Sequence, residues 1–151
     1  MADKAARIVE ITGSVREVTE PEWLARAEIV HRQLRPQIPG DYRQTMRRIF
    51  AEGAEMCIAV AGEEVMGVAV FRTFGNTHGG RRFYVDDLVT AENGRSRGVG
   101  RLMLAHLEAL ARERGCSGMD LESGSQRLRA HRFYFREGMS ITGFSFRKQF
   151  K

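Results

Sequence analysis

Six consecutive residues, Arg95-Ser96-Arg97-Gly98-Val99-Gly100, have the types and spacing to hold a phosphate. Gly98 and Gly100 carry no Cβ, so the backbone there can approach an anion closely. A helix opening at this point turns the unsatisfied amides of its first turn, and the positive end of its dipole, toward negative charge. Arg95, Arg97 and Arg101 add fixed positive charge whose forked donors suit phosphate oxygens. Three patterns compete for such a loop. The P-loop needs a Gly-Lys pair, which the chain lacks. The dinucleotide pattern GxGxxG begins well but has Met103 where its third glycine packs helix against strand, and Asp120, about 20 residues further on, is a weak substitute. The third, Arg/Gln-x-x-Gly-x-Gly/Ala, is met in full by Arg95, Gly98 and Gly100.

A second block follows: Arg129-Ala130-His131-Arg132-Phe133-Tyr134-Phe135-Arg136-Glu137-Gly138-Met139. With the first, in this order and with a helix and a strand between them, it resembles the GNAT family of N-acetyltransferases, whose corresponding block is Ala-x-x-Phe-Tyr-x-x-x-Gly-Phe. The useful motifs span residues 54–146. The resemblance implies that residues 95–101 hold the pyrophosphate of acetyl-CoA. It also implies that the backbone of Leu88, Val89 and Thr90 runs beside the cofactor, and that Tyr134 is the general acid. A phenol of pKa about 10 can protonate a departing thiolate. Met139 departs from the pattern by an apolar exchange. Arg127 stands where the family often has Asn, and either meets a cofactor phosphate or is solvated.

Asp86 and Asp87 precede Leu88 on the strand before the loop. Neighbours on a strand point to opposite faces, so one of the two should face a given site. By position in the resembling family, Asp86 belongs to the acceptor side, where it would orient an amine or help remove its proton; Asp87 is then structural, paired with an arginine. Glu122 and Ser123 end the next strand and could line the same cleft. His131 is read as packing or hydrogen bonding.

The elements that must position these residues follow from periodicity. A strand is expected over residues 8–12, a helix with Pro21 in its first turn running to the break at Pro36, and a helix over 41–51 with Asp41 as N-cap. Strands over 56–60 and 65–72 form a hairpin, 74–80 is a flexible loop, and 82–90 is a strong strand. A helix over 98–114 follows, then a strand at 117–122, a basic helix at 126–137 and a final alternating strand at 141–150. The expected fold is α/β with an α+β mixed sheet. It is GNAT-like, a central, mostly antiparallel twisted sheet flanked by helices in the order β-α-α-β-β-β-α-β-α-β.

Composition sets the outer limits. With 151 residues, one domain spanning 1–151 is expected. The longest apolar runs fall far short of a membrane span, and the N-terminal 15 residues carry charges of both signs, so a cytoplasmic location is expected. Cys57 and Cys116 read as free thiols, and neither they nor the four histidines have metal spacing. Residues 1–75 hold 10 basic and 11 acidic side chains, and 76–151 hold 14 and 8, which directs an anionic partner to the second half. The leading reading is therefore an N-acetyltransferase with acetyl-CoA as co-substrate and a small-molecule amine as acceptor. A basic nucleic-acid module using residues 127–136, and a non-catalytic acyl-CoA sensor, are the alternatives. Phe144, Phe146 and Phe150 suit a strand edge, a homodimer interface or core packing equally.

Overall fold

A computed structural model describes residues 4–94 and 97–151. It divides into two compact units, one ending at Asp120 and the other beginning at Leu121. The first contains β1 (Arg7–Glu10), α1 (Pro21–Leu34), α2 (Tyr42–Ala51), β2 (Glu55–Ala61), β3 (Glu64–Asn76), β4 (Gly80–Thr90), a 3-10 turn (Glu92–Gly94) and α3 (Val99–Glu113). The last strand, β5 (Met119–Leu121), reaches the boundary, and the second unit contains α4 (Leu128–Arg136). The strands form one five-stranded sheet in the order β1-β2-β3-β4-β5, with β1 to β4 paired antiparallel in sequence.

The helices begin where the local chemistry directs. Pro21 occupies the first turn of α1, where no backbone donor is missed. The Asp41 carboxylate accepts from the Gln44 amide at 3.0 Å and caps α2. One apolar cluster joins Leu24, Ala27 and Val30 of α1 and Tyr42, Met46 and Phe50 of α2 to Met56, Ile58, Val60, Val68, Val70 and Val89 of the sheet. Ile29, which shares the helical spacing, is exposed. On α3, Val99, Met103, Leu104, Leu107 and Ala111 are buried. Gly67 makes room for this helix: a Cβ there would lie 2.5 Å from the Met103 sulfur. The far end of α3 is tied to the sheet by Arg114, which donates to both Glu55 carboxylate oxygens at 2.6 and 2.8 Å and to Thr73 at 2.9 Å. Cys57 and Cys116 are buried free thiols, and burial pushes the Cys57 thiol up to about 12.

Two expectations are corrected. Residues 74–80 are not a flexible loop: β3 and β4 continue as a ladder through Phe74↔Arg82 and Gly75↔Arg81 to Asn76↔Gly80, and the Asn76 side chain accepts from the Gly79 amide at 2.9 Å. The glycines mark the tight turn, while the pairing across it supplies the order. Second, residues 141–150 form no strand, and Phe144, Phe146 and Phe150 are 85%, 95% and 85% exposed. Alternation is a property of one chain, whereas a strand needs a hydrogen-bonded neighbour, and within its unit this segment has none. Among the described residues no helix is long and apolar enough to cross a membrane.

Candidate active site

The register of β3 and β4 slips at the acidic pair. Val70 faces Asp87 and Phe71 faces Val85, so Asp86 is the extra residue of a β-bulge. The strict alternation expected of neighbours on a strand therefore fails here. On β3, Arg72 lies two residues beyond Val70 and shares its face. It holds Asp86 Oδ2 with Nε at 2.9 Å and Nη2 at 2.6 Å. Asp87 turns to α1, where Oδ1 accepts from Arg35 Nε at 2.7 Å and Oδ2 faces His31 Nε2 at 2.8 Å. Both carboxylates thus meet cations or donors on the α1 side.

The two acids differ in what they have left to give. Burial acts to raise the Asp87 carboxyl, but the hydrogen bonds and charges of His31 and Arg35 outweigh it and hold the group below the usual carboxylate range. Both Asp87 oxygens are engaged, which agrees with a structural role and an arginine partner. Asp86, by contrast, has no hydrogen bond at Oδ1 among the described residues. Immediately after the bulge, Leu88, Val89 and Thr90 face Ala69, Val68 and Gly67 of β3. On the other edge β5 offers 3 residues against the 11 of β4, so most of that edge lacks a sheet partner among the described residues.

Gly98 is the N-cap of α3 and lies in the left-handed region at φ 77°, where a Cβ is disfavoured. The first helical bond runs from the Leu102 amide to the Gly98 carbonyl, so the amides of Val99 and Gly100 stand ahead of the helical hydrogen-bond ladder. Gly98 and Arg97 are exposed, and a Cβ at Gly98 would meet nothing within 4 Å. A glycine-opened helix mouth facing open space fits an anion such as a pyrophosphate. Arg95 and Ser96, the start of the sequence motif, lie outside the described residues. Asp120 accepts from Arg82 Nε at 3.0 Å, so the residue that the dinucleotide pattern would use is held in an ion pair.

In the second unit Tyr134 is half-buried on α4, its ring 5.5 Å from that of Phe133. Burial raises its phenol above 10, against a smaller opposing effect of the Arg127 charge. Arg127 is the half-buried N-cap residue of α4. His131 Nε2 donates to the Gly124 carbonyl at 2.9 Å, the hydrogen-bonding role expected of it. Arg129, Arg132 and Arg136 are exposed. Glu122 is exposed too, whereas the Ser123 hydroxyl is buried without a hydrogen-bond partner among the described residues.

Sequence reasoning missed His31, Arg35, Tyr42 and Arg72. Tyr42 was legible only as part of an apolar stripe. The available signal was His31 itself, a polar side chain between Val30 and Leu34 on the buried face of a helix, followed four residues later by Arg35.

The model of the acetyltransferase (GNAT) family matches residues 16–139. An uncharacterized N-acetyltransferase of Bacillus subtilis (strain 168), YhdJ, is 40% identical over 72 residues, which are 47% of this chain and 51% of that protein. The chain thus spans about half the length of this curated relative. Among solved structures, the aminoglycoside N-acetyltransferase AAC(6')-Iy in complex with CoA superposes with a TM-score of 0.81 at 15% identity, over 98% of this chain and 96% of that one. A ribosomal-protein-alanine N-acetyltransferase from Brucella melitensis biovar Abortus 2308 gives 0.78 at 16% identity, over 97% and 99%. The family match runs through both the loop that opens α3 and the tyrosine block of α4, on a fold these structures share, and this chain belongs to the acetyltransferase (GNAT) family.

Proposed function

We propose that this chain is an acetyl-CoA-dependent N-acetyltransferase whose acceptor is the primary amine of a small molecule. The observation that carries the reading is the glycine-opened mouth of α3, with Gly98 at positive φ as its N-cap, inside the stretch matched by the family. Arg95, Ser96, Arg97, Gly98, Val99, Gly100 and Arg101 would hold the pyrophosphate, the backbone of Leu88, Val89 and Thr90 the arm, and Arg127 a further phosphate. Bound acetyl-CoA supplies an acyl group activated as a thioester. Asp86, through its open oxygen, attracts the acceptor ammonium and takes up the proton it must lose, directly or through water. As the nitrogen–carbon bond forms and the carbon–sulfur bond breaks, Tyr134 donates its proton to the sulfur. Its raised pKa keeps that proton in place at neutral pH.

Several finer parts belong to the same reading. One acetyltransferase domain over residues 1–151 is supported by a family match that spans both compact units. A cytoplasmic location is the setting we propose. The small-molecule acceptor is supported by the likeness to aminoglycoside acetyltransferases, one of them bound to a bisubstrate analog of CoA and acetylneamine. A homodimer is supported by the C-terminal arm: at about 150–250 Å² per aromatic ring, its exposed phenylalanines offer apolar surface on the scale of one side of a standard interface.

A nucleic-acid module is the second reading, favoured by α4, which buries no residue and exposes Arg129, Arg132 and Arg136. Thermal unfolding separates the two. Acetyl-CoA at about 100 times its Kd should add about 2.7 kcal/mol, with no comparable shift from ATP or NAD. No shift with acetyl-CoA, together with a strongly salt-dependent affinity for nucleic acid, would replace the acetyltransferase reading with the second.

A further inference from the structure

His31 is 1% exposed, and both of its ring nitrogens are engaged. Nδ1 lies 2.8 Å from the Tyr42 hydroxyl and Nε2 lies 2.8 Å from Asp87 Oδ2. An ionised carboxylate only accepts, so Nε2 donates to Asp87. Nδ1 then accepts from Tyr42, whose phenol burial keeps protonated. The hydrogen bonds run one way, from Tyr42 through His31 to Asp87. Arg35, four residues after His31 and the C-cap of α1, takes the other Asp87 oxygen and reaches the Asp86 carbonyl with Nη2 at 3.2 Å. That carbonyl belongs to the residue the bulge leaves unmatched on β3, so a guanidinium partners it where the ladder is disrupted.

An apolar residue at position 31 could fill the same space without needing two partners. What the imidazole adds is a fixed orientation of Asp87. The connection after α1 is drawn into the same assembly, because Arg32 donates from Nη1 to the Ile38 carbonyl at 2.6 Å and stands over the Tyr42 ring. Resting on the reading of Asp86 as the acceptor-side acid, we propose that His31 and Arg35 are positioning residues for the acceptor. They clamp Asp87 and the Asp86 carbonyl, and so hold the bulge with one Asp86 oxygen open to the amine.

Paired substitutions at His31 test this. The Asn amide of H31N reaches about as far as Nδ1 and leaves Asp87 without its donor, whereas the Gln amide of H31Q reaches about as far as Nε2 and keeps it. Amide hydrogen exchange on the protein without ligands should quicken about tenfold over residues 85–87 in H31N and in R35K, with β2 unchanged. In H31Q it should stay within about twofold of the parent. With sisomicin, neamine and an alanine-terminated peptide as acceptor probes, H31N should raise the KM of any amine acetylated about tenfold while the acetyl-CoA KM holds, and H31Q should restore it. Exchange that rises across the whole sheet in step with lost stability, or identical behaviour of H31N and H31Q, would overturn the positioning role. Local exchange changes with an unaltered amine KM would instead remove Asp86 from the acceptor side and leave the clamp standing.

Discussion

Adjacent acids in one strand are given different work by the atoms around them. Asp87 has both oxygens engaged by His31 and Arg35, whereas Asp86 has one oxygen held by Arg72 and one without a partner among the described residues. D87N should therefore act on stability, costing about 2 kcal/mol in denaturant titration, because it takes the charge from a largely buried carboxylate that both His31 and Arg35 hold. Its pH dependence has a definite sign. The folded carboxyl is lowered, so the stability Asp87 provides is full above about pH 4 and is lost as pH falls through its folded value. The parent should thus lose more stability on acidification than D87N. D86N should unfold close to the parent and lower kcat/KM for the amine about tenfold or more, read in steady-state kinetics. Y134F removes the proposed proton donor, and a kcat about 10²–10⁴-fold lower at an unchanged acetyl-CoA KM is expected.

The elements place these residues by means that the sequence announces unevenly. α1, α2 and α3 were legible from caps and apolar spacing, since Pro21, Asp41 and Gly98 stand where the helices start. The bulge at Asp86 was not, because a register slip arises from the pairing of two strands and leaves no mark in either alone. The same limit hid the clamp: His31 and Arg35 stand four apart at the end of α1, but their target lies more than 50 residues away in sequence. The loop at residues 95–100 was read from its glycines, and Gly98 takes the positive φ that only glycine adopts without strain. G98A should cost about 1 kcal/mol in thermal unfolding and weaken acetyl-CoA measurably by calorimetry. Equal affinity in G98A would mean that the helix mouth is not where the pyrophosphate sits.

At the level of the whole molecule, positive charge and most of the exposed aromatics gather in one stretch. Residues 121–151 hold seven basic and two acidic side chains, and Phe135, Phe144, Phe146 and Phe150 are exposed there. An alternating arm with this much open apolar surface is what an edge pairing with a second copy would cover. F144E together with F146E should convert a dimer to a monomer in light scattering, and a parent that is monomeric at micromolar concentration would contradict the homodimer. Acetyl transfer itself is read by the release of free thiol from acetyl-CoA. The parent should release thiol only when a primary amine acceptor is present, and Y134F should reduce that rate by about 10² or more. Acetyl-CoA that binds without amine-dependent thiol release would rule out an acetyltransferase, and release that Y134F leaves unchanged would rule out Tyr134 as the general acid.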